Sequence, residues 1–392
     1  MSEAGPTICL VAGEESGDQL GSELMKALNG RLGSNLRYCG VGGERMTALG
    51  LTSFFDMTDV SVMGLSAVLA RLPLIVRRVY QTVDAVVAQD PSVLVIIDSP
   101  DFTHSVAKRV RKRAPHIPII GYVSPSVWAW RPGRAKRMSA YVDELLALLP
   151  FEPAVHKRLG GPRTHYVGHP LSENLEQLRP SSGERNALGA DNRVLLVLPG
   201  SRGSEIKRLL SDFGDTVGLV KDKMPDVEVL LPAVPHLEDR IREGVSGWRF
   251  QPEIVTGLQA KNAAFRRAHA ALAASGTVSL ELALSGVPMV VAYRVDWFFR
   301  RLKELNRVLK LANIETFVLP NIILGKKTIP EFLDEEVEAR VLADQLLPLL
   351  DDSPERNAQL SELERLDDLM RLPDGHSQRD AAADVVIAAM RK

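Results

Sequence analysis

The chain has 392 residues, 45% hydrophobic and 25% charged, with 48 basic and 49 acidic side chains and a net charge of −1. Its length exceeds one ordinary core and predicts two domains. The even charge balance gives no support to a nucleic-acid binder.

Cys9 and Cys39 both sit in apolar runs, which predicts buried free thiols rather than a disulfide or a zinc site. The opening MSEAGPTICLVAG lacks a basic region followed by a long apolar one, so no secretory leader is expected. No apolar run has the length that spans a bilayer, so any membrane contact is expected to be peripheral.

In chain order, the first half reads as short β-rich runs separated by helical patterns. The runs are Ile8–Ala12, Leu36–Val41, Val93–Ile97, Ile117–Val123, Leu145–Leu148 and His165–Val167. Continuous apolar strands alternating with helices predict a parallel sheet covered on both faces. A boundary is expected at Gly168-His169-Pro170-Leu171, and the pattern then restarts at Val194–Leu198, Val227–Leu231, Phe250–Val255, Ala270–Ala273 and Met289–Ala292. The fold class expected is therefore α/β, with two doubly wound, Rossmann-like domains (1–170 and 171–350) facing a cleft. From Glu335 onward the chain reads as helical. Residues 351–392 are expected to be a helical tail that returns to the first domain or crosses to a partner chain, because the last helix has an alanine- and valine-rich face.

Five strand ends carry unusual chemistry. Gly13-Glu14-Glu15-Ser16-Gly17-Asp18 follows the first strand. It lacks the G-x-G-x-x-G spacing and is acidic where a pyrophosphate would sit, so Glu15 and Ser16 suit sugar hydroxyls, while Ser16 or Asp18 also suits a helix cap. Asp98 ends the run Val93–Ile97 and is a candidate general base. Asp101 follows Pro100 and reads more as a helix N-cap. Ser124-Pro125-Ser126-Val127-Trp128-Ala129-Trp130-Arg131 places two of the four tryptophans in one loop. Trp128 there fits either sugar or acyl stacking or a packed aromatic loop.

Leu198-Pro199-Gly200-Ser201-Arg202-Gly203 offers close backbone approach and a fixed positive charge at Arg202. The fifth strand end is Ala274-Ser275-Gly276-Thr277, where a strand turns sharply into a helix. It offers backbone N–H groups, two hydroxyls and the positive end of a helix dipole, which suits a phosphate. Glu281 lies about one helical turn further, where its carboxylate suits a ribose or a surface ion pair. Two anion-favouring turns in one domain point to a nucleotide-diphosphate site. With no D-x-D, H-E-x-x-H or cysteine cluster, no metal or other cofactor is expected, and charge on a departing diphosphate falls to Arg202, amides and helix dipoles.

The motifs A-G-E-x-S-G-D, I-D-S-P-D-F, Y-V-S-P-S-V-W-A-W, L-P-G-S-R-x-x-E, A-S-G-T-x-x-L-E and L-P-N stand in this order from about Ile8 to the C-terminal helices. In this the chain resembles the lipid A disaccharide synthases, which are GT-B glycosyltransferases. The resemblance implies an inverting enzyme with UDP-2,3-diacylglucosamine as donor and 2,3-diacylglucosamine 1-phosphate (lipid X) as acceptor. It implies a cytoplasmic protein of Gram-negative bacteria, peripheral to the inner membrane, and a homodimer exchanging C-terminal segments. It brings Asp98, Arg202 and Asn321 forward as catalytic positions and Glu281 as the ribose ligand, with Ser201, Ser275, Gly276 and Thr277 beside the diphosphate. A peptidoglycan-type transferase, a UDP-N-acetylglucosamine 2-epimerase and a non-enzymatic nucleotide-sugar sensor are the rival readings.

Acylated substrates require a membrane-facing surface. Val62–Arg78 is apolar and flanked by arginines, with Leu65, Val68, Leu69, Leu72 and Ile75 as the expected contacts, and Trp297–Lys303 is a second candidate. The basic run Lys108–Arg113 reads as a solvated helix face, or one that favours anionic lipid, since no aromatic residues interleave it.

Overall fold

A computed structural model describes the chain apart from residues 1–4, 34, 62–64, 189–192, 295–315, 373–374 and 391–392, together with the side chains of 65–70. The described residues divide into two units, Met1–Pro170 with Leu372–Lys392, and Leu171–Arg371.

The first unit holds a seven-stranded parallel sheet in the order β3-β2-β1-β4-β5-β6-β7. Its strands are β1 Thr7–Ala12, β2 Arg37–Val41, β3 Leu51–Ser53, β4 Val93–Ile97, β5 Ile119–Tyr122, β6 Glu144–Ala147 and β7 Arg163–Tyr166. β1 and β4 are buried along their whole length, as strands covered on both faces must be. Helix Glu15–Leu32 packs on one face and helices Leu65–Gln89 and Pro100–Arg113 on the other. Cys9 and Cys39 are free, buried, and register partners on β1 and β2.

The second unit repeats the winding with β8 Val194–Leu198, β9 Glu228–Ala233, β10 Glu253–Thr256, β11 Ala270–Ala274, β12 Met289–Tyr293 and β13 Glu331–Leu333. Their order is β10-β9-β8-β11-β12-β13, all parallel. In each sheet the winding direction reverses between the first strand and its fourth (β1/β4 and β8/β11). Ligands of doubly wound sheets bind beyond the carboxyl ends at that reversal. The two edge strands β3 and β13 have no counterpart in the expected elements.

The tail differs from the expected 351–392 block. Helix Pro354–Met370 belongs to the second unit, and the chain passes to the first only at Leu372. The reason is polar stapling. Buried Arg356 donates to the His269 carbonyl at 2.6 Å, and Gln359 accepts the Met289 N–H at 2.5 Å and donates to its carbonyl at 3.3 Å. The last helix, Gln378–Met390, packs Ala382, Ala383, Val386 and Ala389 into the core of the first unit. Gln378 donates to the Tyr122 hydroxyl at 2.6 Å, and Arg31 pairs with Asp384. Among the described residues, no helix is long and apolar enough to cross a membrane.

Helix Leu65–Gln89 runs through Pro73. Its 3.6-residue period sends Ile75 and Val79 toward the core and leaves Leu72, Val76 and Tyr80 exposed. Ile75 is therefore a packing residue, which corrects its expected membrane role. The side chains of Leu65, Val68 and Leu69, and the whole Trp297–Lys303 segment, lie outside the described residues.

Candidate active site

In the first unit the turns after β1 and β4 touch. Gly13 allows this: a Cβ there would lie 2.7 Å from the Ser99 Cβ. Ser16 Oγ donates to Asp98 Oδ2 at 3.1 Å, so the two expected residues meet at the reversal point. Asp98 and Ser99 both hold left-handed backbone, with φ of 51° and 41°. Asp98 Oδ1 accepts the Ser99 N–H at 2.8 Å, and Thr103 Oγ1 donates to the Asp98 carbonyl at 2.6 Å. Val123, just after the neighbouring strand β5, has φ 75°, an outlier for a β-branched residue. Backbone strain of this kind costs about 1–3 kcal/mol per residue and clusters at functional sites.

Other first-unit expectations are redirected. Helix Pro100–Arg113 starts after Ser99, so Asp101 is not its cap; its side chain is fully exposed, 3.3 Å from Arg134. Glu14 sits at the N-cap of helix Glu15–Leu32 and gives no side-chain cap. Asp18 is buried inside that helix and accepts the Gly43, Arg45 and Met46 N–H groups at 2.7, 2.9 and 3.2 Å. It thus caps the short helix Glu44–Ala48 and not its own. Glu15 remains solvent-facing, 3.6 Å from Arg45.

The tryptophan loop splits in two. Trp128 is half-buried and stands edge-on to Phe151 at 5.5 Å, so it is a packing residue and its expected substrate contact is corrected. Trp130 is the exposed ring, with the Arg131 guanidinium 5.4 Å from its centroid. Beneath the loop, Ser124 Oγ lies 2.8 Å from His156 Nε2. Burial holds His156 down at about 4 and raises the Glu152 carboxyl to about 7, against the Leu149 N–H that it accepts at 3.1 Å.

In the second unit the turns after β8 and β11 border a cavity of about 550 Å³, which Ser201, Arg202, Ser275, Gly276, Thr277 and Glu281 all line. Gly200 has φ 122°, and a Cβ on it would meet Glu205 Cβ at 2.7 Å. Buried Glu205 accepts the Ser201 N–H at 3.2 Å and the Arg202 guanidinium at 3.1 Å. Arg202 itself stays 68% exposed, so this ion pair is weak and the cation is available to an anion.

At the other turn, Gly276 precedes helix Thr277–Leu284 without a side-chain cap. The helix start thus keeps its affinity for an anion. Ser275 Oγ donates to the Phe317 carbonyl at 3.0 Å, so its hydroxyl holds the turn, and Thr277 keeps an exposed hydroxyl. Glu281 is in an ion pair, and that pair lies in the cavity wall: Lys261 Nζ sits 2.5 Å from Glu281 Oε2.

Lys261 and Glu205 were not among the expected site residues. The motif L-P-G-S-R-x-x-E contains Glu205, but nothing in the spacing singles out Lys261, on helix Leu258–Arg267.

Asn321 is the clearest correction. It is fully buried, donates to the Ile329 carbonyl at 2.9 Å and accepts the Thr328 and Ile329 N–H groups at 3.0 and 2.9 Å. Its amide closes the 321–329 turn and does not face a ligand.

Residues 8–385 match the family model described as lipid-A-disaccharide synthetase. The chain belongs to that family. A lipid-A-disaccharide synthase of Nitrobacter winogradskyi is 52% identical over 389 residues, covering 98% of this chain and 96% of its own. One of Rhodopseudomonas palustris is 49% identical over 389 residues, with the same coverage of 98% and 96%. Among solved structures, the UDP-GlcNAc 2-epimerase of Neisseria meningitidis bound to UDP-GlcNAc superposes with a TM-score of 0.62 at 11% identity, over 98% of this chain and 100% of that one. That likeness carries the fold alone: α/β, of GT-B type, with two Rossmann-like units. Family membership, not fold, separates a lipid-A-disaccharide synthase from an epimerase.

Proposed function

We propose that the chain transfers the sugar of UDP-2,3-diacylglucosamine to the 6-hydroxyl of 2,3-diacylglucosamine 1-phosphate. The observation that carries this reading is a lipid-A-disaccharide synthetase match over residues 8–385, on a chain whose second unit holds the cavity bordered by Arg202 and the Ser275–Thr277 turn. In the reaction, the acceptor oxygen bonds to the donor's anomeric carbon from the face opposite UDP and the bond from that carbon to the diphosphate breaks. The hydroxyl proton passes to a base, and the configuration inverts. Asp98 is the base, oriented by Ser16 and the Ser99 N–H. Arg202, the N–H groups of the Ser275–Thr277 turn and the dipole of helix Thr277–Leu284 meet the charge growing on UDP. Glu281 holds the ribose, with Lys261 fixing its carboxylate.

UDP release from UDP-2,3-diacylglucosamine, measured with and without lipid X, tests the reading. Release that requires lipid X is expected. Isomerisation at C2 without acceptor would make the chain an epimerase, and tight UDP binding with no release would make it a sensor.

Both substrates carry acyl chains, so we further propose peripheral contact with the inner membrane from the cytoplasmic side. Leu72 and Val76 offer exposed apolar surface for it. Vesicle flotation of a folded Leu72→Ser, Val76→Ser variant checks this, and undiminished flotation would refute it. A homodimer exchanging segments after Met370 is proposed from the family resemblance; light scattering at micromolar concentration reads it directly.

A further inference from the structure

The proposed acceptor carries a phosphate of its own, and both turns assigned to the diphosphate lie in the second unit. Near the base in the first unit, the loop after β1 carries Glu14 and Glu15, which repel a phosphate. Three arginines stand in the loops that leave β2 and β5, or in the first turn of the helices that follow. Arg45 lies 3.6 Å from Glu15, and Arg134 lies 3.3 Å from Asp101. Arg131 has no carboxylate partner among the described residues.

The loop that carries Arg131 is tied to the Asp98 turn at both of its ends. β5 runs beside β4, and the Asp98 N–H donates to the Tyr122 carbonyl at 2.9 Å, where the loop begins. Where the loop ends, Arg134 reaches Asp101, on the first turn of the helix that follows Asp98. Between these ties the loop is anchored from beneath. Val127 is buried with Ala135 and Val155, Ser124 Oγ meets His156, and Trp128 stands edge-on to Phe151. The tip, Trp130 and Arg131, is exposed.

That tip joins an aromatic face to a cation. Trp130 is 45% exposed, and the Arg131 guanidinium lies 5.4 Å from its ring centroid. A guanidinium stacked on a ring keeps its N–H edge available for a bidentate pair with phosphate oxygens. Arg131 also holds φ 52°, a left-handed backbone that glycine would adopt without strain. As at Asp98, a side chain stands where the backbone alone would favour glycine.

We propose that Arg131 reads the acceptor's phosphate while the Trp130 ring lies against the acceptor's sugar, so that this loop sets the preference for a phosphorylated acceptor. The inference rests on the transfer reaction proposed above and names the residues that select its acceptor. The acceptor's 6-hydroxyl hangs from C5 and its phosphate from C1, the two carbons that flank the ring oxygen. A reader of the phosphate must therefore stand within one sugar's width of the base. The loop tied at both ends to the turn of Asp98 is the element that brings a cation without a carboxylate partner to that neighbourhood. The C–H face of a sugar packs on an aromatic ring, which leaves its charged end for the guanidinium.

The test follows UDP release by the full chain at saturating UDP-2,3-diacylglucosamine. The acceptor is either lipid X or its dephosphorylated counterpart, 2,3-diacylglucosamine, dispersed in the same detergent. A charged hydrogen bond at an exposed site is worth about tenfold. Wild type should therefore favour lipid X by about tenfold or more in kcat/KM, and Arg131→Gln should narrow that ratio to within about twofold. Arg131→Lys should recover part of the ratio, since a point charge meets the phosphate without the bidentate fit. Trp130→Leu should lower kcat/KM on both acceptors by about threefold or more and leave the ratio as it was. Arg131→Asn gives a second reading if Gln disturbs the loop, because Asn tolerates left-handed backbone. A wild-type ratio in both Arg131→Gln and Arg131→Asn would overturn the inference and leave the transfer reaction standing. Equal use of the two acceptors by wild type would do the same. Weakened UDP binding by Arg131→Gln in calorimetry, at an unchanged acceptor ratio, would move Arg131 to the donor and overturn it too. No UDP release by wild type with either acceptor would sink the transfer reaction itself, and the inference with it.

Discussion

Glu281→Gln separates a ribose ligand from a structural ion pair. The Glu281 carboxylate is only 18% exposed, and Lys261 holds one of its oxygens at 2.5 Å, leaving Oε1 for a sugar hydroxyl. Hydrogen bonds to a charged acceptor contribute about 1.5–3 kcal/mol, against about 0.5–1.5 for a neutral one. Gln keeps the shape and loses that difference, so UDP should bind about 5- to 13-fold more weakly.

The loss alone is ambiguous, because the substitution also leaves Lys261 without its partner. A ligand-side control removes the ambiguity. Calorimetry with UDP and with its 2′,3′-dideoxy analogue should show wild type preferring UDP about tenfold and Glu281→Gln preferring it less than twofold. Adding Lys261→Met to the variant should not restore UDP affinity. Equal weakening toward both ligands would refute the ribose role and reduce the pair to a brace of the cavity wall.

Other predictions follow from the same geometry. Asp98→Asn should lower kcat on the order of a hundredfold or more with KM for the donor little changed; near-normal turnover at saturation would remove Asp98 as base. Arg202→Ala should weaken UDP about tenfold, and unchanged affinity by calorimetry would contradict its phosphate role. Asn321→Ala strands the half-buried Thr328 and buried Ile329 N–H groups, for a loss of about 2–4 kcal/mol and roughly 5–15 °C in Tm. Folded Asn321→Ala should bind UDP within about threefold of wild type, and a selective loss of UDP binding at unchanged Tm would return Asn321 to the site. Glu152 is held at about 7, above its ordinary 4.5, so the stability it contributes is complete below about pH 4.5 and is lost as pH rises through 7. Burial holds His104 and His156 at about 3 and about 4, and their contribution is present at neutral pH and lost on acidification. The readout is therefore the Tm gap between wild type and Glu152→Gln, which should shift in the variant's favour between pH 5 and pH 8; a constant gap would count against a strained carboxylate.

The winding of both sheets was legible because their central strands are unbroken apolar runs ending in Gly, Ser or Asp. The partners of polar side chains were not. Asp18 and Asp98 look alike in sequence, each an acid in a motif near a strand end. Yet Asp18 is consumed by N–H groups from residues 43–46, while Asp98 keeps its carboxylate at the reversal point. Only the tertiary fold brings in those N–H groups. Lys261 was invisible for the same reason, since it reaches Glu281 from another helix 20 residues away. Ile75 is a different failure. Helical period alone separates it from Leu72 and Val76, and a segment as apolar as Val62–Arg78 offers no single polar face to fix that period.

The two turns at the reversal points solve one backbone problem in opposite ways. In the second unit the unusual conformations fall on Gly200 and Gly276, at φ 122° and 154°. In the proposed reaction a diphosphate is read there by backbone N–H groups; the missing Cβ of Gly276 leaves open space, and that of Gly200 makes room for Glu205. At the first unit's reversal-point turn the left-handed conformations fall on Asp98 and Ser99, with Val123 after the adjacent strand β5. Glycine would relieve that strain at each of them, but at Asp98 it would delete the carboxylate. Asp tolerates left-handed backbone better than most residues, and its side chain bonds the Ser99 N–H in that conformation. The strain at Asp98 is thus what keeps a carboxylate at a position where a backbone-reading site would place glycine. The diphosphate turn is built to offer amides, and the acid turn is built to offer a side chain.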